Sequence, residues 1–337
     1  MDIDLILDAR ASATELAELG VLAEQLGFGG IWVSSLLDGR DPFSNLSLLA
    51  QATSRIAMGP IAVNPWDMHP VRISGALHTL NELSEGRARI VIGGGGEALA
   101  SLGLQPERRV RAVRECVEII RTASLGKRFD YAGELYTAQG YGLGWLSAQR
   151  PQVYVGANMA QMLRMSGQVA DGVMLSDLPP KLASTAIATA RDAATDAGRS
   201  VTELEFNSFT AWHVYDDEQQ ARNEAKRWLL LRGLFRPWVL ETFLEPAEIE
   251  LIMSSQPAFV KAFVEGSHVI EGVPTGLTDK LVDELTLTAA SSDTETLITE
   301  LQACAKAGLS SVSLRLYEQP AASMRLLAEW ALPALHN

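Results

Sequence analysis

The sequence predicts an α/β chain folded as a closed (β/α)8 barrel, and three observations point there. Short apolar runs of strand length alternate with amphipathic stretches of helix length, the pattern of βαβ units that build a parallel sheet. Eight such runs occur, which favours closure over an open doubly wound sheet. The length of 337 residues suits one barrel with an insertion, since such barrels run to about 250 residues or more as a single domain.

The elements follow in order. "IDLILD" (3–8) reads as the first strand, and Leu16, Leu19, Leu22, Ala23 and Leu26 fall at helical spacing after it, with Gly27 as the stop. "GGIWVSS" (29–35) is a second strand and "PFSNLSLLAQAT" (42–53) a helix. "IAMGPIAV" (56–63) is a third strand, followed by a helix over 70–86 that ends at a glycine. "ARIVIG" (88–93) is the fourth strand, and residues 108–126 form a helix. After a loop-like stretch around "YGLGWLSAQRP" come the strand 152–157, a helix from 160 and the strand 172–177. The helix "KLASTAIATARDAATDAG" leads to the seventh strand, "LEFNSFTAWHVY". A helix, a glycine stop and an eighth strand make up "TETLITELQACAKAGLSSVSLRL". Residues 218–290 interrupt the alternation and read as a helical insertion between strands seven and eight, within one domain spanning 1–337. That insertion is either an ordinary helical subdomain or a lid whose Trp228, Phe235 and Trp238 help close a pocket.

Composition narrows the partners. A hydrophobic content of 47% with 20% charged residues describes a chain with a large core. The net charge of −13 argues against nucleic acid and anionic membrane surfaces. Cys116 and Cys304 stand far apart, without the spacing of a metal site or a disulfide framework. The start, "MDIDLILDAR", lacks the basic region and apolar run of a signal peptide, and no uncharged stretch approaches the ~20 residues of a membrane span. A cytoplasmic protein acting on a small molecule is expected. The histidines at 69, 78, 213, 268 and 336 form no metal pair, so no metal is expected. No G-x-S-x-G elbow is present, which removes a hydrolase triad.

The sharpest local feature is "ARIVIGGGGEALA" (88–100), in which a buried strand runs into Gly93–Gly96 and then Glu97. A dinucleotide-type phosphate loop needs G-x-G-x-x-G after an early strand, with an acid about 20 residues on. These glycines follow the fourth strand and nothing else supports that fingerprint. In a barrel the loop after each strand lies on the catalytic face, and glycines there let a flat ligand approach the backbone.

The stretch "MGPIAVNPWDMHPVRISGALHTLNELSEGRARIVIGGGGEAL" resembles strands three and four of the bacterial luciferase-like family, TIM-barrel enzymes that use flavin or the deazaflavin coenzyme F420. It is most similar to the F420 branch, with its methylene-tetrahydromethanopterin reductases and glucose-6-phosphate dehydrogenases. "FDYAGELY" (129–136), "QVYVGANMAQML" (152–163), "ADGVMLSD" (170–177) and the terminal "TETLITELQACAKAGLSSVSL" resemble the same enzymes. The likeness runs through nearly the whole chain and is weakest over 218–290.

The resemblance implies roles. A non-prolyl cis peptide at Ile61–Ala62 would press against the back of the ring, and Asn64 would meet its edge or ribityl chain. Gly95 and Gly96 would leave room for the ring beside Ser35 at the end of strand two. Gly156, Ala157, Asn158 and Met159 would take the cofactor tail and its phosphate through backbone N–H groups, helped by the helix that follows. Glu97 matches a glutamate that donates a proton beside the reacting carbon; the plainer alternative is a cap for the next helix. One departure stands out: where the branch has an Asp-His pair, this chain has Ser35 and Leu36. Leu36, His69 and His213 are candidates for the substrate pocket, His69 also as a helix start and His213 also as a core residue; His78 reads as structural. Three readings remain: an F420-dependent oxidoreductase passing hydride between the deazaflavin C5 and a small organic substrate, an FMN-dependent monooxygenase, or a non-catalytic flavin-binding homologue. Relatives often pair through early helices, and the apolar helix 42–53 suits a homodimer.

Overall fold

A computed structural model of the chain describes residues 1–96 and 98–336. The strand and helix pairs β1 (Asp2–Leu7) and α1 (Ala13–Leu26), β2 (Gly30–Ser34) and α2 (Pro42–Ala52), and β3 (Ala57–Ile61) and α3 (Pro70–Leu83) come first. Then come β4 (Arg89–Ile92), the single turn α4 (Ala98–Ser101) and α5 (Arg109–Ala123). A hairpin of β5 (Phe129–Ala132) and β6 (Thr137–Tyr141) precedes β7 (Gln152–Gly156), α6 (Ala160–Val169), β8 (Gly172–Ser176), α7 (Pro180–Asp196) and β9 (Glu205–Tyr215). Five helices follow: α8 (Glu218–Trp228), α9 (Pro237–Leu240), α10 (Pro246–Ser254), α11 (Gln256–Glu265) and α12 (Thr275–Leu285). The chain then returns through β10 (Thr286–Ala290), α13 (Thr294–Lys306), β11 (Ser311–Arg315) and α14 (Pro320–His336).

Eight parallel strands form the barrel in the order β3-β2-β1-β11-β9-β8-β7-β4. Isolated bridges at Met58–Ala88 and Val63–Ile92 join β3 to β4 and close the cylinder. At this seam a Cβ on Gly59 would lie 1.8 Å from the Arg89 carbonyl oxygen, so only glycine lets the two backbones approach. Two features differ from the sequence reading. The stretch between the helix over 108–126 and the loop-like run that starts at Tyr141, assigned no element from sequence, contains the β5–β6 hairpin, whose alternately half-buried and exposed β5 offers too little apolar content to announce itself. The insertion ends not in helix but in β10, which pairs in parallel with the outer half of β9.

The interior is layered by the alternation of side chains along each strand. One layer is apolar: Ile6, Trp32, Ile61, Val91, Tyr154 and Met174, with Phe209 against them. The layer below is polar. The Asp4 carboxylate accepts from Trp32 Nε1 at 3.1 Å and Asn207 Nδ2 at 2.9 Å, and Arg89 Nη2 approaches it to 3.1 Å. Glycine on the facing strand makes room for this charge: a Cβ on Gly30 would fall 1.5 Å from Arg89 Nη2. Burial works against the Arg89 cation, but Asp4 outweighs it and holds the group charged. Outside the barrel, the insertion packs around Leu229, Leu234, Leu240, Ile252, Phe259 and Leu281. Among the described residues, no helix is long and apolar enough to cross a membrane.

A carboxylate ties the first two units together. Glu24 on α1 accepts from the amides of Ser54, Arg55 and Ile56 at 2.5 to 3.1 Å. Burial alone would raise its pKa, but these donors bring it from 4.5 down to about 2. A depressed carboxylate contributes stability that is complete above its unfolded pKa and lost as pH falls through the folded one. Glu24→Gln is therefore expected to be less stable than the parent near pH 6, with the gap closing between pH 4.5 and about 2. Urea denaturation across that range measures it, and a gap independent of pH would contradict the assignment.

Candidate active site

A cavity of about 560 Å³ opens at the C-terminal ends of the strands. Its floor is the apolar interior layer, represented by Ile61, Val91, Met174 and Phe209. The Ile61–Ala62 peptide at the end of β3 is cis, the geometry the sequence reading places there, and both residues line the cavity. Across from them run Gly94 and Gly95, the latter at φ 69°, a conformation that favours glycine. The loop Gly156–Met159 forms another side and leads straight into α6. Met159 provides no side-chain cap for that helix, which leaves its first N–H groups available to an anion. The outer rim holds Ser176, Arg236 and, from the insertion, Trp238.

Seven residues singled out from sequence thus come together: Ile61, Ala62, Gly95, Gly156, Ala157, Asn158 and Met159. Asn158 does something the sequence did not disclose. Its Nδ2 donates to the Ser176 carbonyl at 2.8 Å and its Oδ1 accepts from the Ser176 amide at 3.0 Å, clamping the loop after β7 to β8. The other candidates lie away from the lining. The Asn64 side chain is spent on its own turn, accepting from the Trp66 and Asp67 amides and donating to Asp67 Oδ2 at 2.8 Å. Ser35 is exposed and donates its amide to Ile61 O at 2.9 Å, while Leu36 is 42% exposed. Gly96 is exposed beside the lining glycines. Glu97 lies outside the described residues.

Neither histidine candidate enters the cavity. His69 caps α3, accepting from the Val71 amide at 3.3 Å, and meets Tyr136 edge to face. His213 is buried with Nδ1 2.6 Å from Glu224 Oε2, and its ring stacks on Tyr317. Burial lowers its pKa despite the pull of Glu224, so its imidazole is held towards the neutral form. His78 is structural, bridging the Ser74 carbonyl and the Ser124 hydroxyl. Of the insertion aromatics, Trp238 reaches the cavity, whereas Trp228 packs on Tyr317 and Phe263 and Phe235 on Phe259.

Sequence reasoning missed Met162, Ser176, Phe209 and Arg236 as lining residues. Phe209 had a signal: it is an inward position of β9, two residues beyond the buried Asn207. Arg236 had none, because it arrives from the insertion. The charge pattern of the lining is one-sided. Arg109 and Arg236 contribute guanidinium groups, and among the described residues no carboxylate or imidazole joins them. A slot floored by apolar side chains, flanked by residues without Cβ and ending at an uncapped helix N-terminus, fits a planar ring that carries a phosphate.

These features define a barrel whose C-terminal mouth has room for a flat ligand and donors for an anionic tail. The chain belongs to the luciferase-like monooxygenase family, whose pattern matches residues 2–311. It is 30% identical over 295 residues to the 5,10-methylenetetrahydromethanopterin reductase of Archaeoglobus fulgidus, covering 86% of each chain. It is 29% identical over 261 residues to the F420-dependent glucose-6-phosphate dehydrogenase of Nakamurella multipartita, covering 72% of this chain and 76% of the relative. The solved structure of the coenzyme F420 dependent tetrahydromethanopterin reductase from Methanopyrus kandleri superposes with a TM-score of 0.82 at 24% identity, over 98% of both chains.

Proposed function

We propose that this chain is a coenzyme F420-dependent oxidoreductase that delivers hydride to a small organic substrate. What carries the reading is the convergence on one cavity of the cis Ile61–Ala62 peptide, the glycine loop and the free N-terminus of α6. The relatives named for F420 support the choice of cofactor. When bound, the deazaflavin supplies a hydride at C5; the protein supplies position, dryness and a proton. Ile61 and Ala62 would back the ring, Gly94 and Gly95 would admit it, and the α6 N–H groups with Arg109 would hold its phosphate. Phe209 and Trp238 keep water from the reacting face.

Glu97, which follows the four glycines in the sequence, would donate the proton. Glu97→Gln is expected to lower turnover about 100-fold or more while leaving cofactor affinity unchanged. Steady-state kinetics beside a fluorescence titration separates the two quantities, and unchanged turnover would remove the residue from the chemistry. Ser35 and Leu36 bring no proton-transferring carboxylate or imidazole to the end of β2, so alcohol oxidation that leans on such a pair is not the favoured reaction. A homodimer joined through α2, where Leu48 is exposed, and a cytoplasmic location complete the proposal.

Titration of the purified protein with F420 and with FMN tests the cofactor. Saturable binding of F420 in preference to FMN is expected. Preference for FMN would favour the monooxygenase reading, and binding without hydride exchange the non-catalytic one.

A further inference from the structure

Two arginines on one turn of the insertion reach the same strand end. Arg232 Nη1 donates to Asp177 Oδ1 at 3.1 Å, and Arg236 Nη1 donates to the Ser176 carbonyl at 3.2 Å. Ser176 is the last residue of β8 and Asp177 follows it. Gly233 makes this double reach possible. It turns the chain at φ 67°, and a Cβ there would lie 2.9 Å from Arg236 Nη1.

Asp177 joins three elements. Its amide donates to the Phe209 carbonyl on β9 at 3.1 Å, and Ser176 Oγ donates to its Oδ2 at 2.8 Å. Its other carboxylate oxygen takes Arg232, whose guanidinium lies 4.9 Å from the centre of the Phe209 ring. Its φ of 52° is uncommon for a residue with a side chain and persists only where the surroundings enforce it. One carboxylate thus connects β8, β9 and the insertion. Phe209, Arg236 and Trp238, which depend on that junction for their placing, all line the cavity.

Asp177 and Arg232 are 6% and 4% exposed. Burial works against the Arg232 cation, but Asp177 outweighs it and keeps the group charged. Such a pair adds little net stability over apolar residues of the same volume, yet breaking it leaves a stranded charge, so it favours one arrangement over its neighbours. The insertion also has an apolar core of its own and a separate tie through α8, where Glu224 meets His213 and Tyr215. What the pair at the mouth adds is the exact seat of the segment 232–238 on the barrel.

We propose that Asp177 and Arg232 are positioning residues, which seat Phe209 and Trp238 over the reacting face of the bound ring and so shield it from water. The inference rests on the F420 reading above.

Quenching of F420 fluorescence by acrylamide, a neutral quencher, at full cofactor occupancy tests it. F420 bound to the parent is expected to resist quenching. Arg232→Met should raise the quenching constant about threefold or more as the rim loosens, with F420 affinity kept. Arg232→Lys, which retains a cation opposite Asp177, should recover most of the protection. Because Arg232→Met strands a buried carboxylate, the double variant Asp177→Asn/Arg232→Met accompanies it. That variant has no unpaired charge, and asparagine tolerates the positive φ, so it should melt close to the parent and yet be quenched like Arg232→Met. Quenching of the double variant as weak as the parent's, or Arg232→Lys no better protected than Arg232→Met, would overturn the positioning role and leave the cofactor reading standing. Failure of F420 to bind the parent would overturn both.

Discussion

Gly94→Leu is expected to abolish useful cofactor binding, raising the dissociation constant about 100-fold or more, while the protein stays folded. The position has room for a side chain and that room is the cavity. A Cβ at Gly94 would meet Met162 Cε at 3.5 Å and Arg109 Cδ at 3.9 Å, ordinary contact distances, and its φ is not in the left-handed region. Three further carbons then occupy the slot where the ring is placed. A 100-fold loss corresponds to about 2.7 kcal/mol, within reach of a direct steric block. The neighbouring Gly95 would be a poor choice for this experiment. It sits at φ 69° with a hypothetical Cβ 2.4 Å from Leu99 Cδ1, so its substitution distorts the loop as well. Titration with F420 beside a thermal melt measures both halves of the expectation. Unaltered affinity would place the ring elsewhere.

Asp4→Ala should be among the most destabilising single changes, costing about 3–5 kcal/mol, because it leaves a buried cation without its partner. Arg89 and Asp4 are 8% and 1% exposed, and the substitution also orphans Trp32 Nε1 and Asn207 Nδ2. For a chain of this size the melting temperature should fall by about 4–7 °C. The double change Asp4→Leu/Arg89→Met removes both charges and should recover much of the loss, since replacing a whole buried pair costs far less than breaking it. A single variant as stable as the parent, or a double variant no better than the single, would show that this ion pair does not anchor the lower barrel layer.

How much of this was legible in the sequence depended on how local each signal is. The barrel strands are buried on both faces, so runs such as Ile90–Ile92 stand out from the helices between them. The β5–β6 hairpin alternates half-buried and exposed residues along β5 and was assigned no element from sequence. Gly95 could be placed because residues without side chains on the catalytic face carry meaning by themselves, whereas Gly156 was reached only through the resemblance. Asn64 shows where such reasoning stops. A polar side chain near the site can be consumed by its own turn, and three hydrogen bonds do so here. Asn158 was expected to help through its backbone, yet its side chain is what fixes the loop to β8. The pairing of His213 with Glu224 depends on how α8 folds back over β9, which no spacing reveals. Arg236 and Trp238 enter from the insertion, the segment where resemblance is weakest, so the rim was the hardest part to foresee.

Crystals of the protein soaked with F420 offer the most direct test of the site. The account predicts the deazaflavin ring lying against Ile61–Ala62, with its phosphate at the first turn of α6. A well-ordered ring bound anywhere other than the C-terminal mouth, with that cavity left to solvent, would contradict it.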